Sequence, residues 1–215
     1  MNTDYTVINL NDAKCTGISY HEANIFVTPA PTKYDIVSLN NKYCAGQNGV
    51  TLGLSGSENN VDYQLLRNGN PYGAVKPGTG SAIEWYNVIN GTYTVNAINS
   101  LTTCEGLMNG SKTVILNPLP AAASITSNGI CGTGNVLMNA TLSGEGNQVE
   151  FSENGGTTVH SVVNYPNPYQ YSTSTINAGS SKTIHVRTVV DSTGCASAWT
   201  NSALAIAIYQ VQVEI

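Results

Sequence analysis

One strand-and-loop pattern occurs three times in this chain, at intervals of about 90 residues. In its fullest form, at residues 90–104, it reads NGTYTVNAINSLTTC: a turn, an alternating strand, and a polar loop that ends on Cys104. Related copies at residues 4–15 and 182–195 end on Cys15 and Cys195. A period of this length is typical of tandem domains, so the repeat constrains the fold more than any single motif.

The segments around these copies predict short strands separated by tight turns. Only 10% of the residues are charged and 41% are hydrophobic, and the apolar positions alternate between Asn-Gly and Pro-containing turns. The sequence therefore predicts an all-β chain of tandem β-sandwich domains. We expect the C-terminal half of a preceding repeat at residues 1–31, and complete repeats at residues 32–118 and 119–209.

The last six residues have two interpretations. Beyond Tyr209 the apolar side chains are Val211, Val213 and Ile215, one position out of step with the preceding strand, so they face the other way. Residues 210–215 are predicted to start the first strand of a following repeat, or to be a donor strand that completes another subunit's sheet. The first is favoured because residues 1–31 also form an incomplete repeat, and whether the chain is a fragment or a complete fibre subunit stays open.

Charge and hydropathy exclude several kinds of partner. The net charge is −5 and there are only 8 Lys and Arg residues, so nucleic acid is not an expected partner. The sequence contains no apolar run long enough to predict a membrane span, and its N-terminus lacks the features of a signal peptide. A cytosolic protein and a piece of an exported chain both fit, and the low lysine content favours the exported piece.

The GTYTV stretch at residues 91–95 resembles the sixth strand of immunoglobulin domains, with Val95 in place of the core cysteine. Leu65 and Phe151 occupy the third-strand position at which those domains usually carry a core tryptophan. The resemblance implies tandem immunoglobulin-like sandwiches, each with an aliphatic core in place of the core disulfide.

A closer resemblance joins the cysteines to this strand. The first complete repeat has CAGQNG at residues 44–49, then GTYTV and Cys104, while the second has CGTG at residues 131–134, Ile184 in place of the tyrosine, and Cys195. This order is similar to that of the immunoglobulin-like and PKD-like repeats of giant Bacteroidota cell-surface adhesins, including the SprB-type gliding-motility adhesins.

The resemblance implies export by the type IX secretion pathway and a place at the cell surface. It implies non-catalytic spacer repeats that extend a binding tip away from the cell for gliding or attachment, without a cofactor. The expected partners are neighbouring repeats of the same protein, with surface polysaccharide or other subunits as further partners.

The five cysteines are predicted to form structural disulfides. A zinc site usually needs closely spaced ligand pairs, and no C-x₂-C pair occurs in the sequence. All five cysteines occupy repeated loop positions, which argues against a catalytic thiol. Disulfides are the expected state in an exported protein, and Cys15 is left unpaired within this chain.

Two disulfide pairings remain open. Counting by repeat favours Cys44 with Cys104 and Cys131 with Cys195, and this pairing is preferred. In an immunoglobulin topology, however, the turn before the second strand and the loop after the sixth lie at opposite ends of one sandwich, whereas bonded Cα atoms lie within about 7 Å. That topology favours Cys44 with Cys195, a bond between consecutive repeats that would stiffen their joint.

Two further candidate sites are predicted. Tyr165, Tyr169 and Tyr171 lie beside two prolines, in a loop that could present rings to a sugar or protein, although rings packed into the sandwich explain the pattern better. Asp191-Ser192-Thr193 resembles the O-glycosylation acceptor of the same phylum, with Ser192 as the modified residue.

No catalytic or metal-binding residues are predicted. The acidic residues form no calcium-binding run, and the histidines are scattered as expected for surface positions. The chain is therefore not expected to be an enzyme. Besides the spacer, the alternatives are a self-assembling extracellular fibre subunit that uses strand donation, and a carbohydrate-binding module.

Overall fold

A computed structural model describes residues 2–6, 10–11, 14, 16–17, 22–26, 28–164 and 169–208. These residues form strands and turns, with no helix among them. The all-β prediction is therefore confirmed. The chain divides into two compact units: the first contains residues 1–43 and 48–115, and the second contains residues 44–47 and 116–215.

The first unit is a sandwich of two sheets. Its larger sheet has the order β10-β8-β12-β14-β6, with β9 and β13 paired to its members, and its smaller sheet has the order β11-β7-β5. Two further pairs, β1 with β4 and β2 with β3, precede the sandwich in the chain. The strands are β1 (Asn2–Thr6), β2 (Leu10–Asn11), β3 (Thr16–Gly17), β4 (Glu22–Phe26), β5 (Ile36–Val37), β6 (Lys42–Cys44), β7 (Val50–Leu54), β8 (Val61–Arg67), β9 (Asn70–Pro71), β10 (Lys76–Pro77), β11 (Ile83–Val88), β12 (Gly91–Asn99), β13 (Glu105–Leu107) and β14 (Lys112–Asn117).

The second unit repeats this plan. Its sheets have the orders β16-β23-β21-β18-β19, with β22 paired to β21, and β15-β17-β20. The strand β16 runs parallel to β23, whereas the other pairs are antiparallel. The strands are β15 (Ser124–Ser127), β16 (Ile130–Cys131), β17 (Leu137–Thr141), β18 (Gln148–Ser152), β19 (Ser161–Asn164), β20 (Tyr169–Ser172), β21 (Ser181–Val190), β22 (Cys195–Ala196) and β23 (Thr200–Ile208).

Each unit has its own core, and the same register positions lie at the centre of both. In the first unit Val95 lies opposite Leu65, and in the second Val186 lies opposite Phe151. All four side chains are buried. Leu65 and Phe151, which were predicted to take the place of a core tryptophan, are therefore core residues, and each lies opposite a buried valine.

The strand alternation explains why these segments pair as they do. Along β12, Tyr93, Val95 and Ala97 point into the core, while the intervening polar residues are partly exposed. The hairpin from β8 to β9 turns at Asn68 and Gly69, which have φ angles of 50° and 83°. A two-residue turn with two positive φ angles matches the twist of the strands it joins, and Asn-Gly is the preferred sequence.

The predicted half-repeat at residues 1–31 remains a prediction. The described part of this segment contains β1 and β4, which pair antiparallel from Asn2 with Phe26 to Thr6 with Glu22. Residues 210–215, predicted to begin a strand or to be donated to another subunit, lie outside the described residues.

Candidate functional site

The Cys44 turn follows the edge strand β6 and belongs to the second unit. The backbone N–H of Gln47 donates to the Cys44 carbonyl (3.1 Å), and the Cys44 N–H donates to the Gln47 side-chain oxygen (2.8 Å). The next residue, Ala45, donates its N–H to the carbonyl of Asn117 at the end of β14 (2.9 Å). These contacts hold the cysteine at one end of the sheet.

The Cys195 loop connects β21 to β22. The Gly194 N–H donates to the Val190 carbonyl (2.8 Å), and the Cys195 N–H donates to the Thr193 hydroxyl (3.2 Å). Gly194 has a φ of 70°, a left-handed conformation that glycine adopts without steric cost. The loop is therefore a closed, hydrogen-bonded turn that fixes the direction of the buried Cys195 side chain.

A disulfide joins Cys44 to Cys195, with 5.6 Å between their Cα atoms and 151 positions between them in the sequence. Cys104 and Cys131 are free. The preferred pairing of Cys44 with Cys104 and Cys131 with Cys195 is therefore wrong, and the pairing that follows from immunoglobulin topology is the one formed.

Strand length explains why Cys44 does not bond to Cys104. Cys44 lies beside the end of β14, whose Val114 pairs with Gly91 at the start of β12. Cys104 follows the other end of β12, where the Asn99 N–H donates to the Cys104 carbonyl (2.9 Å). A nine-residue strand is about 30 Å long, far beyond the reach of a disulfide.

The same separation holds in the second unit. Cys131 pairs with Ile208 at the end of β23, near the start of β21, while Cys195 pairs with Val190 at the end of β21. Ten residues of β21 lie between these ends, a length of about 30 Å.

Cys104 lies in a loop closed by the same kinds of hydrogen bond as the Cys195 loop. The Thr103 N–H donates to the Asn99 carbonyl (2.8 Å), and the Cys104 N–H donates to the Thr102 hydroxyl (3.4 Å). The residue before the cysteine has a positive φ in both loops, 59° at Thr103 and 70° at Gly194.

The Cys104 thiol contacts Thr28 of the preceding segment. Its sulfur lies 3.0 Å from the Thr28 hydroxyl and 3.6 Å from the Thr28 carbonyl oxygen. Hydrogen bonds from the hydroxyls of Thr28 and Thr102 lower the pKa of Cys104 below its usual value. The thiolate is the reactive form in thiol–disulfide exchange, so these contacts favour reaction.

Cys131 is exposed and lines an open groove of about 510 Å³. The groove is bordered by Ile130 and by Leu204, Ile206 and Ile208 of β23. These three β23 side chains are 50%, 41% and 54% exposed, so the surface beside the thiol is apolar.

A second cluster surrounds Glu153, whose side chain is 8% exposed. One carboxylate oxygen accepts hydrogen bonds from the Tyr171 hydroxyl (2.8 Å) and the Ser174 N–H (2.6 Å), and the other accepts from the Ser174 hydroxyl (2.6 Å) and the Lys182 ammonium (2.7 Å). Burial alone would raise the pKa of Glu153, but the hydrogen bonds from Lys182 and Ser174 lower it to about 2. Both oxygens are occupied, so Glu153 holds neighbouring strands together.

A second ion pair crosses β18 and β21. The Arg187 guanidinium lies 2.5 Å from a carboxylate oxygen of Glu150 and 4.7 Å from the centre of the Trp199 ring. Glu150 and Glu153 thus each have a cationic partner. The part of the chain that is described contains no group of three or more His, Cys, Asp or Glu side chains that could hold a metal ion.

Two of the three tyrosines of the predicted ligand loop, Tyr169 and Tyr171, pack against the core. Tyr169 is 2% exposed, and Tyr171 stacks on Phe151 with 5.2 Å between ring centres. Burial and the hydrogen bond to Glu153 raise the pKa of Tyr171, which therefore stays protonated as a donor. These two rings serve the core, and the ligand loop would depend on Tyr165, which lies outside the described residues.

Ser192, the predicted O-glycosylation site, lies in the exposed turn at residues 191–194. The neighbouring Thr193 hydroxyl donates to the Val190 carbonyl (3.3 Å) and accepts from the Cys195 N–H. In this turn, Thr193 is committed to loop closure and the Ser192 side chain faces solvent.

Sequence reasoning missed the contacts that cross from one strand to another. Lys182 lies 29 positions from Glu153, and Thr28 lies 76 positions from Cys104. Neither pair shares a motif. For Thr28 and Cys104 the repeat itself could have given a signal. TPAP at residues 28–31 ends one repeat as NPLP at residues 117–120 ends the next, so Thr28 and Asn117 occupy equivalent positions.

No protein-family model and no curated protein matches the chain. Among solved structures, the chain is similar to fibronectin(III)-like modules of CbhA from Clostridium thermocellum, with a TM-score of 0.46 and 14% identity over 85% of this chain and 99% of that chain. It is also similar to the human OSCAR ligand-binding domain (TM-score 0.36, 12% identity, 83% of this chain, 100% of that chain). A third similarity is to a D1–D4 ectodomain fragment of ICAM-5 (TM-score 0.40, 13% identity, 97% of this chain, 61% of that chain).

The immunoglobulin-like assignment is based on the strand order and pairing of each unit. The described residues contain no helix that is long and apolar enough to cross a membrane.

Proposed function

We propose that the chain consists of non-catalytic spacer repeats of a secreted cell-surface adhesin, which carry tension between the cell and a distal binding tip. The CAGQNG and GTYTV motifs support this proposal through their similarity to repeats of Bacteroidota adhesins, including those used in gliding. Two units with separate cores and a disulfide suit an oxidising extracellular location. Export by the type IX pathway belongs to the same proposal.

The observation that carries the spacer role is the bond between Cys44 and Cys195. When a chain is pulled from its two ends, tension passes through a disulfide and bypasses the residues enclosed by it. The bond closes a span of 151 positions, so most of the chain is removed from the extensible path. Such a module limits its own lengthening under load, as a spacer of fixed reach requires.

Single-molecule extension of the full chain tests this role. We expect the Cys44→Ser variant to extend roughly 500 Å further than the oxidised chain on complete unfolding, because each released residue contributes about 3.3–3.6 Å. Cys131→Ser is the matched control, because Cys131 is free, and should extend like the unmodified chain. Equal extension of the oxidised chain and Cys44→Ser would rule out a load-bearing bond.

The two alternative functions depend on segments outside the described residues. Strand donation in a fibre depends on residues 210–215, and carbohydrate binding depends on Tyr165 now that Tyr169 and Tyr171 are placed against the core. The contacts of the described residues favour neither alternative.

O-glycosylation of Ser192 is part of the surface-protein proposal. Exposure of the Asp191-Ser192-Thr193 turn supports it. Intact mass of protein secreted by its natural host should show a glycan that Ser192→Ala removes. The third residue of this acceptor is aliphatic or threonine, so the control Thr193→Val should keep the glycan. An unmodified mass for the native chain would contradict the proposal.

A further inference from the structure

Cys15 lies outside the described residues, and the two free cysteines among them, Cys104 and Cys131, occupy positions whose counterparts in the other repeat are bonded. Cys131 is the last residue of β16, as Cys44 is the last residue of β6, and each strand pairs with the last strand of its sandwich. The residue after each cysteine makes the same hydrogen bond: Ala45 donates to Asn117 (2.9 Å), and Gly132 donates to Ile208 (2.8 Å). Cys131 is therefore the counterpart of Cys44.

Cys104 is in the same way the counterpart of Cys195. Each cysteine lies five positions after the last residue of its long strand, and both loops are closed by the two hydrogen bonds described above. Both have a residue with positive φ directly before the cysteine. The bond between Cys44 and Cys195 thus joins the turn of one sequence repeat to the end loop of the next.

The surroundings of Cys104 independently indicate which cysteine would be its disulfide partner. Its thiol rests against Thr28, whose counterpart at the end of the next repeat is Asn117, because TPAP and NPLP follow equivalent strands. The Asn117 carbonyl accepts a hydrogen bond from the N–H of Ala45, the residue after Cys44. Cys104 therefore lies beside the position at which the turn cysteine of a preceding repeat would be held.

The surroundings of Cys131 suit an incoming loop. Cys131 is exposed at the border of the groove with Ile206 and Ile208, two apolar side chains that are about half exposed. Covering such a surface is favourable by roughly 25 cal/mol per Å² of apolar area.

We propose that Cys131 bonds to the end-loop cysteine of a following repeat of this kind, and that Cys104 bonds to the turn cysteine of a preceding one. The proposal rests on the tandem-repeat part of the proposed function and names the partner at each end. Each bond forms by thiol–disulfide exchange with an oxidised thiol–disulfide oxidoreductase or a small disulfide. The two cysteine thiols lose two protons and two electrons to form the S–S bond, and the oxidant is reduced to two thiols.

Duplicating residues 118–208 within the full chain tests the Cys131 half. The junction repeats the natural one, because Ile208 is the counterpart of Asn117. In a Cys15→Ser background the unduplicated chain has two free thiols, at Cys104 and Cys131. The duplication adds two cysteines, and we expect the thiol count to stay at two because Cys131 of the first copy bonds to Cys195 of the second.

Thiol labelling under denaturing conditions gives the count, and peptide mapping without reduction gives the pairing. Ser192→Ala and Thr126→Ser, at exposed positions of the second copy, mark its Cys195 and Cys131 peptides. Four free thiols, or a bond between Cys131 and Cys195 of the same copy, would overturn the proposal. As a control, Cys131→Ser in the first copy should leave three free thiols.

Duplicating residues 29–117 tests the Cys104 half and keeps the proposal falsifiable if the first variant does not fold. In the same Cys15→Ser background, we expect Cys44 of the first copy to bond to Cys104 of the second, with Cys44 of the second copy bonded to Cys195 and two thiols left free. Leu101→Val and Thr51→Ser, at exposed positions, mark the second copy. A bond between Cys44 and Cys104 of one copy would overturn the inference without bearing on whether the repeats act as spacers.

Discussion

In the first unit the long strand before the end loop carries Tyr93, whereas in the second unit Ile184 takes the equivalent position. The Tyr93 hydroxyl donates to the Ile89 carbonyl (2.7 Å), and its ring meets Tyr72 edge-on with 5.5 Å between ring centres. Ile184 is equally buried but has no polar group. The difference teaches that this core position requires a large apolar side chain, while its polar contact is optional.

The second unit obtains its polar contacts elsewhere. Glu153 receives four hydrogen bonds from three residues and links β18 to the segments around Ser174 and Lys182. In the first unit the buried hydroxyls of Tyr63, Tyr93 and Tyr43 bond to backbone groups instead. One unit is held by tyrosine-to-backbone hydrogen bonds and the other by a buried carboxylate.

The largest effects should come from the core position that is equivalent in the two units. Phe151→Ala removes a fully buried ring and should lower the free energy of unfolding of the second unit by about 3–5 kcal/mol. Leu65→Ala, at the equivalent position, should lower that of the first unit by about 2–5 kcal/mol. Urea unfolding can separate the two, because Trp85 reports on the first unit and Trp199 on the second. If either variant shifted both signals equally, the two cores would not be separate.

Loss of the disulfide should have the next largest effect. Cys44→Ser should lower the free energy of unfolding reported by Trp199 by about 2–4 kcal/mol, because the unfolded chain regains freedom that the bond removes. Cys131→Ser, which removes an exposed free thiol, should leave it within about 0.5 kcal/mol. Equal losses in the two variants would mean that the bond itself does not stabilise the unit.

Acid should weaken the second unit through Glu153. Its pKa of about 2 in the folded chain lies below the unfolded value of about 4.3, so its contribution is fully present above pH 4.3 and is lost as pH falls towards 2. We expect that contribution to be about 1–3 kcal/mol after allowance for partial solvent screening at Lys182.

Glu153→Gln gives the matched measurement. At neutral pH it should lower the free energy of unfolding of the second unit by a similar amount, and it should flatten the dependence on pH between about 4 and 2. Glu84→Gln, which removes an exposed carboxylate bonded to Tyr86, is the control and should change stability by less than about 0.5 kcal/mol. An unchanged acid profile in Glu153→Gln would show that other groups control acid unfolding.

Strands and core could be predicted from the sequence because they follow from local alternation and turn residues. The alternating apolar residues at 50–54 form a strand with those bounds, and Val95 and Leu65, which the resemblance assigned to core positions, are buried opposite each other. The cysteine pairing could not be settled by counting, because spacing does not reveal which end of a sheet a loop occupies. The role of Tyr171 needed the register of β20 against its neighbours, which alternation alone does not supply.

The smallest expected effect returns to the position at which the units differ. Tyr93→Phe keeps the buried ring and removes only the hydrogen bond to Ile89, so it should lower the free energy of unfolding of the first unit by about 1 kcal/mol. Burial raises the pKa of Tyr93 to about 12, above the ordinary value of 10. Its contribution is therefore complete below pH 10 and is lost as pH rises towards 12, a loss that Tyr93→Phe should reduce. If Trp85 fluorescence showed the same alkaline unfolding in both chains, the Tyr93 hydroxyl would make no contribution to the stability of the first unit, and Ile184 of the second unit would lack nothing by having no hydroxyl.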